Sequence, residues 1–170
     1  MKRTPSLFSV PFLPKKESRQ ILDLTDQWYK ACLSKWKLKI STLNINNEEK
    51  QALQECFSLL IDHLNVAFSD PAAYSRQFQD TISKWQDLIN FDHIVMIAGF
   101  FEEILIEILL KNRETIDFDS SFRWIHTLVM NLLLSTYQQF QLPIFIRSKQ
   151  TEKPWDSPLL RLLKRIPAPE

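Results

Sequence analysis

Gly99 is the only glycine in 170 residues. That count removes most of the architectures open to a chain of this length. Tight hairpins, dinucleotide turns and phosphate-cradling loops depend on glycine for positive φ or close backbone approach. Helices do not. A helical chain is expected, and a nucleotide site on a glycine-rich loop is not. Gly99 falls inside a long apolar segment, 92–112. There it costs a helix about 1 kcal/mol relative to alanine. Two reasons for tolerating it stand side by side. Ala98 and Gly99 let another helix approach closely, or a ligand lies against the backbone.

Apolar residues recur at helical spacing through most of the chain. A helix is expected over about 17–40, with Ile21, Leu24, Trp28, Ala31, Cys32 and Trp36 on one stripe. Asn46 suits an N-cap, with Glu49 three residues on completing a capping box. The helix after it is expected to bury Leu53, Cys56, Phe57, Leu60, Leu64 and Phe68. Asp70-Pro71 restarts the helix, a cap followed by proline at the first helical position. That helix is read to about Leu88, with Tyr74, Phe78, Ile82 and Trp85 on one face. Asn90 or Asp92 starts the next. Residues 111–118 are a charged connector. Asp119 or Ser120 is expected to cap the last long helix, which should end before Pro143. The fold class is all-α, with about five main helices. Three regions follow: an extended proline-bearing arm over 1–16, a helical domain over 17–141 and a proline-rich tail over 142–170. Leu7, Phe8, Val10, Phe12 and Leu13 of the arm are expected on the domain surface. In the tail, 143–147 carries a faint strand signal and 159–166 a short basic amphipathic pattern.

A chain of this length forms one domain without disulfide staples. The net charge of +1 marks no nucleic-acid partner. Cys32 and Cys56 make neither a disulfide framework nor a zinc set, and a reducing, cytoplasmic location is the default expectation. Lys2 and Arg3 do not begin a signal peptide, because Pro5, Pro11 and Pro14 break the apolar stretch. Glu102, Glu103 and Glu107 interrupt the apolar segment before it reaches membrane-spanning length, so no integral membrane association is expected.

Catalytic vocabulary is sparse, and the chain is read as no enzyme. No Glu-x-x-His motif is present for a di-iron site, and nothing locates a Ser-His-Asp triad. No metal or other cofactor is expected. Of three histidines, His63 and His93 follow aspartates and are read as local hydrogen-bonding groups. His126 lies near Phe122, Val129, Met130 and Leu133 at helical spacing. A histidine on an interior face must find a partner or lose its charge. Arg123 is one turn away. Together they are candidates to hold a carboxylate or a small anion.

The order of elements carries a resemblance. A proline-bearing arm precedes a tryptophan-containing amphipathic helix, then N-N-E-E at 46–49 and S-D-P-A-A-Y at 69–74. F-D-H-I-V-M-I-A-G-F-F-E-E at 91–103, F-R-W-I-H at 122–126 and S-T-Y-Q-Q-F at 135–140 complete it. Over about 18–141 this resembles the non-haem, globin-like sensor domains at the N-terminus of sporulation sensor histidine kinases. Stand-alone versions lack the kinase portion, and the chain is expected to be one of these. The resemblance implies a globin-like fold, a homodimer and a hydrophobic tunnel in place of haem. Its implied ligands are a fatty acid and a halide-like anion. Its implied role is to oppose the kinase by titrating its signal or mispairing with its sensor domain.

On that reading an acyl-chain cavity is expected between the last two long helices. Ile97, Phe101, Ile104 and Ile108 would form one wall, and Phe122, Val129 and Leu133 the other. His126 and Arg123 would sit at the polar end. Two alternatives remain: a helical homodimeric interaction module with no small ligand, and a haem globin with His93 or His126 as proximal ligand.

Overall fold

The structure, a computed structural model, describes residues 10, 11 and 13–150, with side chains as far as residue 140. Every regular element among the described residues is an α-helix. They are α1 (Lys15–Ser41), α2 (Asn47–Asp62), α3 (Leu64–Ser69), α4 (Pro71–Lys84), α5 (Phe91–Lys111) and α6 (Phe118–Gln150). The expected all-α class holds, with six helices in place of five.

Two compact units divide the chain, Met1–Thr136 and Tyr137–Glu170. In the first, α2 packs on α1, α4 and α5, and α1 packs on α5. The core has an aromatic centre. Trp36 of α1 stacks on Phe57 of α2 at 4.7 Å between ring centroids, and Phe100 of α5 leans on both rings. The Trp36 indole N–H donates to the Leu53 carbonyl at 3.2 Å, so its one polar atom is satisfied on burial. The start of α6 is tied to α3 by a flat stack of Trp124 on Phe68 at 4.1 Å. The Gln20 amide donates to the Thr115 carbonyl, linking α1 to the connector before α6.

Helix starts follow the local chemistry. Asn46 Oδ1 accepts from the Glu49 N–H, and Glu49 Oε2 accepts from the Asn46 N–H, both at 2.8 Å. Asp70 accepts from the Ala73 N–H at 2.9 Å, with Pro71 opening α4. Asn90 caps α5 in a box closed by the His93 ring, whose Nδ1 accepts from the Asn90 N–H.

Four boundaries correct the sequence reading. The expected single helix from Asn46 through Phe68 breaks at His63. The Leu60 carbonyl, which an uninterrupted helix offers to residue 64, accepts the buried Tyr74 hydroxyl at 2.6 Å. α4 stops at Lys84 instead of about Leu88, and the Trp85 indole N–H turns to Glu55 at 2.9 Å. Asp117, not Asp119 or Ser120, caps α6, accepting from the Ser120 N–H and hydroxyl. α6 also continues through Pro143 to Gln150, so 143–147 is helical rather than a strand. An interior proline removes one N–H from the helix ladder and crowds the carbonyl four residues back, so the helix runs through Pro143 against local preference.

At the N-terminus, helix begins at Lys15, two residues before the expected start at about 17. Leu13 is buried and Val10 half-buried. Leu7, Phe8 and Phe12 lie outside the described residues, as does the basic pattern at 159–166.

Candidate functional site

The outer surface of α5 and α6 is where this chain departs from an ordinary soluble surface. Along α5, Val95, Gly99, Glu102, Ile106 and Leu110 recur at spacings of three and four and form one stripe. Val95 and Leu110 are 45% and 50% exposed. Gly99 is exposed too, and a Cβ built on it meets nothing within 4 Å. Along α6 the matching stripe is Phe118, Phe122, His126 and Met130. Phe122 and Met130 are 37% and 36% exposed. The rings of Phe118, Phe122 and His126 stack in sequence along the helix, at 5.9 and 6.1 Å. A hydrogen bond joins the two helices here: His126 Nδ1 lies 2.6 Å from Glu102 Oε1. The face is apolar with a charged centre, and Arg123, Glu103 and Asp119 border it, all exposed.

This placement divides the residues that the sequence reading set around one cavity. His126 was expected on an interior face, yet 54% of its side chain is exposed. Arg123 and Phe122 are exposed as well, and Leu133 is half-buried. Val129 is buried at 1%, with Ile125, Leu128 and Leu132. So α6 has two apolar faces. The inner one runs through Trp124, Ile125, Leu128, Val129 and Leu132. The outer one runs through Phe122, His126 and Met130. Periodicity alone merged them, because His126 lies within one turn of both. On α5, Ile97, Phe101, Ile104 and Ile108 are all buried, as expected for an inward wall. Those four and Val129 therefore lie on a different side of the helix pair from His126 and Arg123.

Sequence reading missed a second feature, a groove of about 360 Å³ between α1 and α5. Phe100, Ile104 and Leu38 give it an apolar floor, and Lys35, Lys39, Glu103 and Glu107 form its rim. Leu38 is 69% exposed. The Lys39 ammonium lies 6.0 Å from the centroid of the Phe100 ring. Farther along the same seam Glu107 accepts from Lys35 at 2.6 Å and from Lys111 at 2.7 Å. Lys111 also sits 4.3 Å over the Trp28 ring. Lys111 and then Lys35 hold the Glu107 carboxyl below its usual range. Leu38 was the available signal: an apolar residue flanked by Lys37 and Lys39, off the Trp36 stripe.

Cys32 and Cys56 are free and buried, and burial pushes the Cys56 thiol up to about 12. His93 closes a helix cap, and His63 sits at the junction of α2 and α3. Among the described residues no three His, Cys, Asp or Glu side chains gather as a metal-binding group. Among them, no helix is long and apolar enough to cross a membrane. Comparison with protein-family models, curated proteins and solved structures finds no match to this chain.

Proposed function

We propose that this chain is a non-catalytic regulatory domain that acts by helix-face association, first with a second copy of itself through the outer face of α5 and α6. One observation carries the reading. Of the five large hydrophobic side chains exposed among the described residues, Val95, Leu110, Phe122 and Met130 share this face. Contiguous exposed apolar surface of this kind marks an interaction site. A twofold contact must be self-complementary. Arg123 and Glu103 supply opposite charges on one face, so each copy offers the other a partner. Size fits as well. Over the length of α5, about 30 Å, and a width of two helices, about 20 Å, the face presents roughly 600 Å², against the ~800 Å² per partner of a standard interface.

The resemblance extends this reading. It makes the fold globin-like and the location cytoplasmic. It makes the second target the sensor domain of a sporulation histidine kinase, engaged in place of that domain's own copy so that signalling is inhibited. Light scattering of the full chain at micromolar concentration tests the first step. The expected result is a dimer for wild type and a monomer with unchanged helical circular dichroism for Phe122→Asp/Met130→Asp. A monomeric wild type sinks the reading.

A second reading, an amphiphilic carboxylate such as a fatty acid, is favoured by the groove between α1 and α5. An acyl chain would lie over Leu38, Phe100 and Ile104. Its head would meet Lys35 and Lys39, so these replace Arg123 and His126 as the polar end. A halide would use the same cations. Haem finds no comparable support, because His93 and His126 are engaged at the surface with Asn90 and Glu102. Organic extraction of purified protein with lipid mass spectrometry tests this reading. A fatty acid retained by wild type and lost in Leu38→Glu/Lys39→Glu is the expected outcome, and equal recovery from both overturns it.

A further inference from the structure

We infer that two copies of this chain pair with α5 of each lying over α6 of the other, about a twofold axis parallel to these helices, and that Met130 of the partner subunit seats in the hollow at Gly99. This rests on the reading of the α5–α6 face as a self-association surface.

Shape supplies the first part. The connector at 112–117 is short, so α5 and α6 run antiparallel, and the His126–Glu102 bond sets those two residues at one level. At about 1.5 Å of rise per residue, Gly99 then lies level with Met130 to within one residue, and Ile106 with Phe122. Around Gly99 the α5 surface forms a hollow of about 560 Å³, whose walls include Glu102, Glu103, Ile106 and Leu110. No atom of the protomer lies within 4 Å of where a Cβ would stand there. Met130 and Phe122, 36% and 37% exposed, project from α6 on the same face. One protomer thus carries both a hollow and the side chains to fill a partner's.

Charge chooses the axis. One step along either helix from the central stripe, from Glu102 to Glu103 or from Phe122 to Arg123, turns about 100°. Because the helices run in opposite directions, these steps turn towards opposite rims of the face. Glu103 lies on the α1 side of α5, where it lines the groove with Lys39. Arg123 therefore lies on the rim of α6 away from α5. An axis across the helices would gather both Glu103 side chains on one rim and both Arg123 side chains on the other. An axis along the helices brings the partner's Arg123 beside Glu103, and does so twice. Rotation about that axis moves nothing along it, so levels are kept. The partner's Met130 then meets the hollow at Gly99, and the partner's Phe122 meets Ile106.

The other charges of both copies fit this arrangement. Glu102 keeps its bond to His126 within each copy. The partner's Asp119 comes level with the end of α5, where Glu107 accepts from both Lys35 and Lys111 and leaves one positive charge over. Methionine suits the hollow, because its unbranched side chain adapts to an irregular gap. The partner's Arg123, set beside Glu103, also joins the rim of the α1–α5 groove, so that rim is shared by the two copies.

The experiment is disulfide trapping of the full chain under mild oxidation, read by mass spectrometry of the linked peptides. Gly99→Cys and Met130→Cys are made as separate proteins, both positions being exposed. Wild type, whose Cys32 and Cys56 are buried, is the blank. The expected product is a mixed disulfide when the two variants are combined, with little linked product from either alone. In parallel, sedimentation equilibrium follows Glu103→Arg, Arg123→Glu and the double variant, with circular dichroism confirming the fold. Each single change should weaken the dimer about 10-fold, and the double variant should recover wild-type affinity to within about 3-fold. Linked dimers of Gly99→Cys alone, or no mixed disulfide from proteins that sediment as dimers, overturn the arrangement and leave the association reading intact. A double variant as weak as the single ones also overturns it. A wild type monomeric at micromolar concentration removes the association reading and the inference together.

Discussion

Gly99 offers a perturbation that separates what the protomer needs from what a partner needs. Glycine inside a helix is costly because its backbone loses more freedom on folding than alanine's. Nothing within the protomer uses the missing side chain, since a Cβ at this position meets no atom within 4 Å. Gly99→Ala should therefore stabilise the isolated protomer by the helix-propensity difference, ~1 kcal/mol. For a chain of this size that raises the melting temperature by roughly 2–4 °C. The measurement is thermal unfolding at a concentration low enough to keep protomers apart. Gly99→Arg keeps the helix-forming backbone but places a long charged side chain at the middle of the face. It should be as stable as wild type or slightly more so when dilute. Its self-association should fall at least ~10-fold, equivalent to ~1.4 kcal/mol. Two results would refute the reasoning. If Gly99→Ala lowers the melting temperature of the dilute protein, the glycine serves the protomer's own packing. If Gly99→Arg associates as tightly as wild type, no second helix approaches α5 here.

Two further variants probe the core and the α1–α5 seam. Tyr74→Phe deletes the buried hydroxyl that bonds to the Leu60 carbonyl. It should cost ~1 kcal/mol in denaturant unfolding, and an unchanged midpoint would show that the bond contributes nothing. Glu107 is held below its usual range by Lys111 and Lys35, so its contribution is present above the ordinary carboxylate range and lost as pH falls through the folded-state value. Glu107→Gln should therefore lower the melting temperature at neutral pH, by no more than ~0.5 kcal/mol equivalent because the bridge is screened by solvent. The difference should vanish in acid; one that persists at about pH 3 would contradict the ion-pair account.

Much of the fold was legible in the sequence because local chemistry decides helix starts. Asn46 with Glu49, Asp70 with Pro71 and Asn90 satisfy backbone donors within three residues of themselves, so one short window holds all the information. The inward stripes behaved the same way: Ile21, Cys32 and Trp36 on α1, and Ile97, Phe101, Ile104 and Ile108 on α5, are set by helical spacing alone. What spacing could not decide is which apolar stripe faces inward when a helix has two. On α6 the stripes through Val129 and through Phe122 and His126 are less than one turn apart. Only packing against α3 and α5, through Trp124 on Phe68 and His126 on Glu102, assigns one to the core and the other to the surface. The break at His63 has the same origin. It coincides with a bond between Tyr74 and Leu60, fourteen residues apart, that no local window contains. Helix type and starting points thus belong to the sequence, because their hydrogen bonds close within a turn. Which face is buried, and where a helix is interrupted, belong to the tertiary structure, because the deciding contacts come from other helices.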